Sequence, residues 1–400
     1  MNFDYNNTDK LKQDFSFLWQ AVNDDYAYFD NKKTDWDKVK EIYSEQTNSI
    51  KSRDEFVTLL ENVLNEIYDN HASLNTNTVN SPRLVPSGTD VWGEYIHGKA
   101  VITDIRKNFR AEKTGVKTGM QIVSVNDVDI NEAVKNFIGK SLSECDKDAA
   151  DYALNKVLAG RRGIERKFTL KSEGEACDYF PDAYGFLLEN IQYKKKVEFN
   201  QTDNTGYIKI NNCLFDNSMI QEFDDAMYSL NDTKSLILDL RETPSGGNTT
   251  VARAILGWFV NEDKFYQKHE LPAEEKQTGI KRSWMEIVSP RADKYYGKPV
   301  YVLAGHWTGS LGEGITAGFD ALKTGATIGT KLAGLCGAIY TFEMPNTKIK
   351  FSIPVEKLYH VNGTPREKYI PNIEIDYKDL SGDEDVILNE AHKIIKANGN

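Results

Sequence analysis

An apolar run, Pro299-Val300-Tyr301-Val302-Leu303-Ala304, breaks at Gly305-His306-Trp307-Thr308-Gly309-Ser310 and resumes as Leu311-Gly312-Glu313-Gly314-Ile315. A continuous apolar run bounded by turn residues is the pattern of a strand buried on both faces. Gly314 to Leu322 then reads as a helix with small residues on one side. Strand, glycine-flanked turn and helix in succession commit this part of the chain to an α/β layer. Ser310 occupies the turn. Glycines let backbone N–H groups come close to a substrate. A helix N-terminus favours developing negative charge. A sharp strand-to-helix turn exposes a hydroxyl for attack. Taken alone, the stretch reads first as an ordinary Ser/Gly connection in an α/β sheet, so the remaining segments must decide.

The N-terminal 80 residues read as helical. Phe15, Phe17, Leu18 and Trp19, with Val22 and Tyr26, mark a first amphipathic helix, and Trp36, Val39 and Ile42 a second. The third opens on a capping box, Ser52-Arg53-Asp54-Glu55. Phe56, Leu59, Leu60, Val63, Leu64 and Ile67 then keep helical spacing. That helix runs into Tyr68-Asp69-Asn70-His71, which leaves His71 just past a well-anchored C-terminus. Residues 81–90 form a Pro/Gly/Ser linker. Short strands follow at Trp92–Ile96 and Ala100–Ile105 across a His97-Gly98 turn. Gln121–Val125, a helix Asp146–Leu158 and a strand Arg166–Leu170 complete this region.

From about residue 175 the pattern is α/β. Gly206–Ile210 is a strand, Ile220–Leu230 a helix, and Ser235–Leu240 a buried strand of the parallel-sheet type. The latter enters the permissive loop Arg241-Glu242-Thr243-Pro244-Ser245-Gly246-Gly247-Asn248. A helix follows at Thr249–Val260. Residues 262–297 read as polar and irregular, a candidate wall for a substrate groove. Ala326–Gly329 is a short strand, Ile339–Met344 with Lys348–Ile353 a hairpin, and Asp383–Ala397 a closing helix.

With 400 residues, two or three domains are expected. A net charge of −11 argues against nucleic acid or an anionic membrane surface as partner. Cys145, Cys177, Cys213 and Cys336 are scattered without a CxxC or Cys/His cluster, so no zinc site is expected and free thiols are the favoured reading. There is no transmembrane-length apolar span. The polar N-terminus lacks a signal-peptide core, which leaves a cytoplasmic protein or an exported mature form with its signal removed.

Five segments resemble known motifs. AEKTGVKTGMQIVSVND, residues 111–127, resembles the PDZ signature in which a helix leads into GL-x-x-GD-x-I-x-x-VN, with Met120 where Asp is usual. LILDLRETPSGGN resembles the DLR-x-N-x-GG loop of S41 peptidases, one residue longer, and VYVLAGHWTGSLGEG their nucleophile turn, with Glu313 three residues after Ser310. NEIYDNHASL resembles the histidine motif of the tricorn-like branch, and GTPREKYIPNIEI the segment carrying its catalytic glutamate. The chain thus resembles S41 serine peptidases, the C-terminal-processing and tricorn-like enzymes.

The resemblance implies a multidomain α/β (α+β) protein. Its parts are an N-terminal helical segment (1–80) carrying His71, a PDZ-like peptide-binding domain (86–172), and a crotonase- or ClpP-like catalytic domain (175–397). It implies a serine endopeptidase with Ser310 as nucleophile, His71 as general base and Glu367 orienting the imidazole. The oxyanion hole would use the backbone N–H of Leu311 and of Gly246, with Gly247 and Asn70 as accessory candidates. Asn70 stands where the branch can place a serine, and Asn372 where an Asp is usual. No metal or other cofactor is implied. The substrate would be a peptide or unfolded protein, with its C-terminal tail as a handle for the PDZ-like domain, whose carboxylate loop is expected within Val91–Tyr95. The Ser/Lys branch keeps its lysine where this chain has Leu335. A Ser310/Lys331 dyad and a non-catalytic peptide-binding protein on the same scaffold are the alternatives. His306 is a neighbour of the nucleophile worth locating, and Glu313 reads as a structural charge at a helix start.

Overall fold

The computed structural model describes residues 3–172, 174–183, 193–382 and 384–399. The chain forms two compact units. One comprises Met1–Glu189, Leu271–Arg282 and Cys336–Lys357; the other comprises Asn190–Glu270, Ser283–Leu335 and Leu358–Asn400.

In the first unit the expected helices form at Thr8–Asp25, Trp36–Tyr43 and Arg53–Asn65. Ser52 caps the third by accepting the Glu55 N–H at 3.2 Å, while the Glu55 carboxylate reaches back to the Lys51 N–H at 2.6 Å. Its apolar stripe, Phe56, Leu60 and Val63, is fully buried with Phe15, Leu18 and Val39. Phe351, Ile353 and Val355 of the strand Lys350–Tyr359 complete this core. That strand pairs antiparallel with both Ser73–Leu74 and Ala338–Glu343, so the expected hairpin across Pro345 forms and extends further than its apolar signal.

A six-stranded sheet in the same unit runs Val91–Ile96, Lys99–Ile105, Gln121–Val125, Phe168–Ser172, Glu175–Tyr179, with Val128–Asp129 added to Gln121–Val125. His97 and Gly98 both take positive φ, the conformation a tight hairpin requires. The helix Lys147–Ala159 packs on this sheet through Ala153, Leu154, Val157 and Leu158. Glu66 ties the helical segment to this region, accepting from Ser141 N–H at 2.9 Å and Lys140 N–H at 3.0 Å.

The second unit is a six-stranded sheet in the order Ile373–Glu374, Gly325–Gly329, Val300–Ala304, Ser235–Asp239, Thr205–Ile210, Val197–Thr202. All neighbours are parallel except the last pair. Period-two alternation sends Leu236, Leu238, Val300 and Val302 into one core with Ile255, Ile315 and Phe319. Ile237, Tyr301 and Leu303 pack on the other face against Ile387, Ala391 and Ile395 of the helix Val386–Ala397. Asp383, where the sequence places the start of that helix, lies outside the described residues.

Residues 262–297 correct the sequence reading. Lys264–Glu270 and Ser283–Val288 pair antiparallel, and Pro272–Thr278 is a helix. The strand was invisible to an apolar pattern because its buried positions include Gln267 and His269. His269 is held by Glu286 at 2.9 Å and stacks on Trp284. Among the described residues no helix is long and apolar enough to cross a membrane. The four cysteines are thiols, Cys145 and Cys177 exposed, Cys213 and Cys336 buried.

Candidate active site

In the second unit, two loops leave the carboxyl ends of adjacent parallel strands, the usual place for a ligand in an α/β sheet. One follows Ser235–Asp239 and the other follows Val300–Ala304. They are laced together. Thr243 N–H donates to Trp307 O at 3.1 Å, and Gly309 N–H donates to Thr243 O at 3.2 Å. The hydroxyls of Thr243 and Thr308 both donate to Leu240 O, at 2.8 and 3.0 Å. Upstream, Arg241 braces the strand end by pairing with Asp239 at 2.6 Å and with Asp385 at 2.7 Å.

Ser310 stands at the head of the helix Leu311–Leu322 with φ +51° and ψ −109°, outside the favoured regions for a residue with a Cβ. The turn is held by Glu313. One carboxylate oxygen accepts the Ser310 N–H at 2.7 Å and the other accepts the Gly334 N–H at 2.9 Å. Glu313 is fully buried. Burial pushes its carboxyl up to about 7, opposed by Arg366 at 4.0 Å and by the two N–H donors, with Glu367 adding to the rise. The expected helix-start charge is therefore present, but as a buried brace rather than a surface group.

Gly246 (φ +64°) lies directly against the serine. A Cβ there would fall 2.4 Å from Ser310 Cβ, 2.9 Å from its Oγ and 3.0 Å from Leu311 N. At Gly247 a Cβ would fall 2.0 Å from Leu214 O. Both glycines are thus demanded by close approach. The Gly246 N–H donates to Thr243 O over 3.3 Å. The N–H groups of Leu311 and Gly247 donate to no protein acceptor among the described residues.

Glu367 sits in the short turn Arg366–Lys368, and its backbone oxygen would meet a Cβ on Gly334 at 3.5 Å. The neighbouring Arg366 donates to Leu335 O at 3.0 Å. Leu335 is buried, with its Cδ1 3.2 Å from where a Gly309 Cβ would stand. An apolar side chain thus flanks the turn that carries Ser310. Lys331 is exposed. His306 is buried, with Nδ1 3.3 Å from Thr330 Oγ1. Asn372 pins the sheet by accepting from Thr327 N–H at 3.0 Å.

His71 belongs to the first unit. Its N–H donates to Asp69 Oδ1 at 2.9 Å, and Asp69 Oδ2 accepts from Tyr26 OH at 2.8 Å. Two residues later Ser73 enters the sheet opposite Ser352. The ring is fixed from a direction the sequence does not signal. Nδ1 lies 2.6 Å from the carbonyl oxygen of Cys336. A carbonyl can only accept, so Nδ1 carries the hydrogen and the lone pair of a neutral imidazole is on Nε2. The neighbouring Asn70 Oδ1 is buried and accepts no hydrogen bond among the described residues.

The peptidase family S41 model matches residues 204–378, and the tricorn protease C1 domain model matches residues 8–65. Among solved structures, the fold is similar to mature CPAF, with TM-score 0.63 and 14% identity over 94% of each chain. It is also similar to the photosystem II D1 C-terminal processing protease, with TM-score 0.57 and 15% identity over 93% of this chain and 98% of that one. No curated protein matches by sequence. Residues 204–378 thus match peptidase family S41 and residues 8–65 a tricorn protease domain, on a fold similar to that of these two proteases.

Proposed function

We propose that this protein is an S41 serine endopeptidase of the Ser/His/Glu kind. Ser310 Oγ attacks the scissile carbonyl and loses its proton to His71 Nε2. The imidazolium then protonates the leaving amine, and water hydrolyses the acyl-enzyme by the same route in reverse. Glu367 supplies the carboxylate that stabilises imidazolium, while the Cys336 carbonyl keeps the tautomer. Leu311 N–H is one oxyanion donor. The second comes from the Gly246-Gly247 pair, where Gly247 has the uncommitted N–H and Gly246 would first have to release Thr243. The same reading makes residues 86–172 PDZ-like and 175–397 a crotonase-like catalytic part. The substrate is a peptide or unfolded protein.

The observation that carries this reading is the strained backbone of Ser310, propped by a buried glutamate with Gly246 clearing the space beside Oγ. A structural serine needs no such arrangement. The Ser310/Lys331 dyad is disfavoured by the buried Leu335 beside the turn and the exposure of Lys331. The test is labelling by a fluorophosphonate probe together with casein turnover. Both should be lost in Ser310→Ala, and turnover in His71→Ala should fall at least ~10³-fold. Labelling that persists in Ser310→Ala removes Ser310 as nucleophile. Turnover that survives in His71→Ala but dies in Lys331→Ala makes the dyad correct.

A further inference from the structure

The strand Val91–Ile96 is the edge of its sheet, the place where a PDZ-like domain takes a peptide tail by adding it as one more strand. Such capture needs outward-facing N–H and C=O groups left open for the incoming backbone. Here four of them are spent internally. The Gly93 N–H donates to Asn155 Oδ1 at 3.0 Å, and Gly93 O accepts from Asn155 Nδ2 at 2.8 Å. The Tyr95 N–H donates to Asp151 Oδ1 at 3.0 Å. Val91 O accepts from the Thr89 hydroxyl at 2.8 Å. An Asn side chain carries the same amide as a peptide group, so Asn155 pairs with Gly93 much as a neighbouring strand would. Asn155 is 2% exposed. The helix that carries it sits flush on the strand, since a Cβ on Gly93 would fall 2.7 Å from Leu158 Cδ1. No room for another backbone is left between helix and strand at that point.

Building on the endopeptidase reading, we infer that the protein selects substrates by interior sequence and not by their C-terminal tails, because its own Asn155 and Asp151 fill the tail-receiving edge. Opening that edge would expose the Gly93 and Tyr95 amides and the Asn155 carboxamide at once, which buried polar groups resist.

Two measurements test this. First, a peptide cut from casein by the enzyme is resynthesised with at least ~10 residues beyond the cleaved bond, as free acid and as C-terminal amide. The two should have kcat/KM values equal within twofold; a tenfold or greater loss on amidation overturns the inference. Second, hydrogen exchange followed by mass spectrometry on the Ser310→Ala protein needs no turnover, so it stands even if the enzyme reading fails. Residues 91–96 should exchange slowly, and Asn155→Ala should speed exchange there more than tenfold while leaving casein turnover in the Ser310 parent unchanged. Fast exchange of 91–96 before any substitution, or protection unaltered by Asn155→Ala, shows that the edge is not closed in this way.

Discussion

Ser310 carries a backbone conformation that costs on the order of 1–3 kcal/mol for a residue with a Cβ. Glycine escapes most of that cost, even after the entropy it adds to the unfolded chain. Ser310→Gly should therefore unfold at a higher temperature than Ser310→Ala, by about 1 kcal/mol in stability. Equal melting temperatures would show that the turn is relaxed. At Gly246, the methyl of Gly246→Ala points at Ser310 and Leu311 N, where an oxyanion would gather. A loss of at least ~10²-fold in kcat, the scale of one oxyanion donor, is expected without loss of the folded signal by circular dichroism. His71 gives a finer comparison. The Cys336 carbonyl already fixes its tautomer. Glu367→Gln should thus cost clearly less in kcat than His71→Ala; equal losses would assign Glu367 more than charge stabilisation.

The helix Leu311–Leu322 brings a titrating brace to its own first turn. Glu313 has a folded value near 7 against an ordinary 4.5, raised mainly by burial. Its contribution to stability is complete below about pH 4.5 and is lost as pH rises through about 7. Glu313→Gln does not titrate. Whatever its fixed offset, its stability relative to the parent should climb between those values, by roughly 3 kcal/mol at most. A gap between the two thermal-unfolding curves that is the same at pH 4.5 and 8 would contradict this. The sequence made some of these elements plain and hid others. Strands 300–304 and 235–239 are buried on both faces, so their apolar runs announced them. The Lys264–Glu270 strand buries Gln267 and His269, and no pattern of hydrophobicity reports that. The turn positions of Ser310 and Gly246 and the helix-start position of Glu313 were legible, because glycines and capping residues mark such places. The Cys336 acceptor was not, because every residue has a carbonyl and only folding chooses which one is used.

At the scale of the molecule, neither unit is a continuous piece of chain. Phe351, Ile353 and Val355 share a core with Phe15, Phe56 and Leu60. A fragment ending at Glu189 lacks those residues and the strand that pairs with Ser73–Leu74. It should give poor chemical-shift dispersion by NMR and bind an apolar dye, whereas a well-dispersed spectrum would mean that the core closes without the returning segment. This also explains why the histidine motif could be read from its neighbours but its support could not, since that support is some 265 positions away in sequence.

Leu335 closes against Gly309 of the turn that carries Ser310, and the very next residue gives its carbonyl to His71. Leu335 belongs to one compact unit and Cys336 to the other, so a single peptide bond joins the residue that walls the Ser310 turn to the residue that holds the imidazole. A substitution on one side of that bond is felt at the Ser310 turn and on the other side at the His71 ring, although the bond itself has no chemistry of its own.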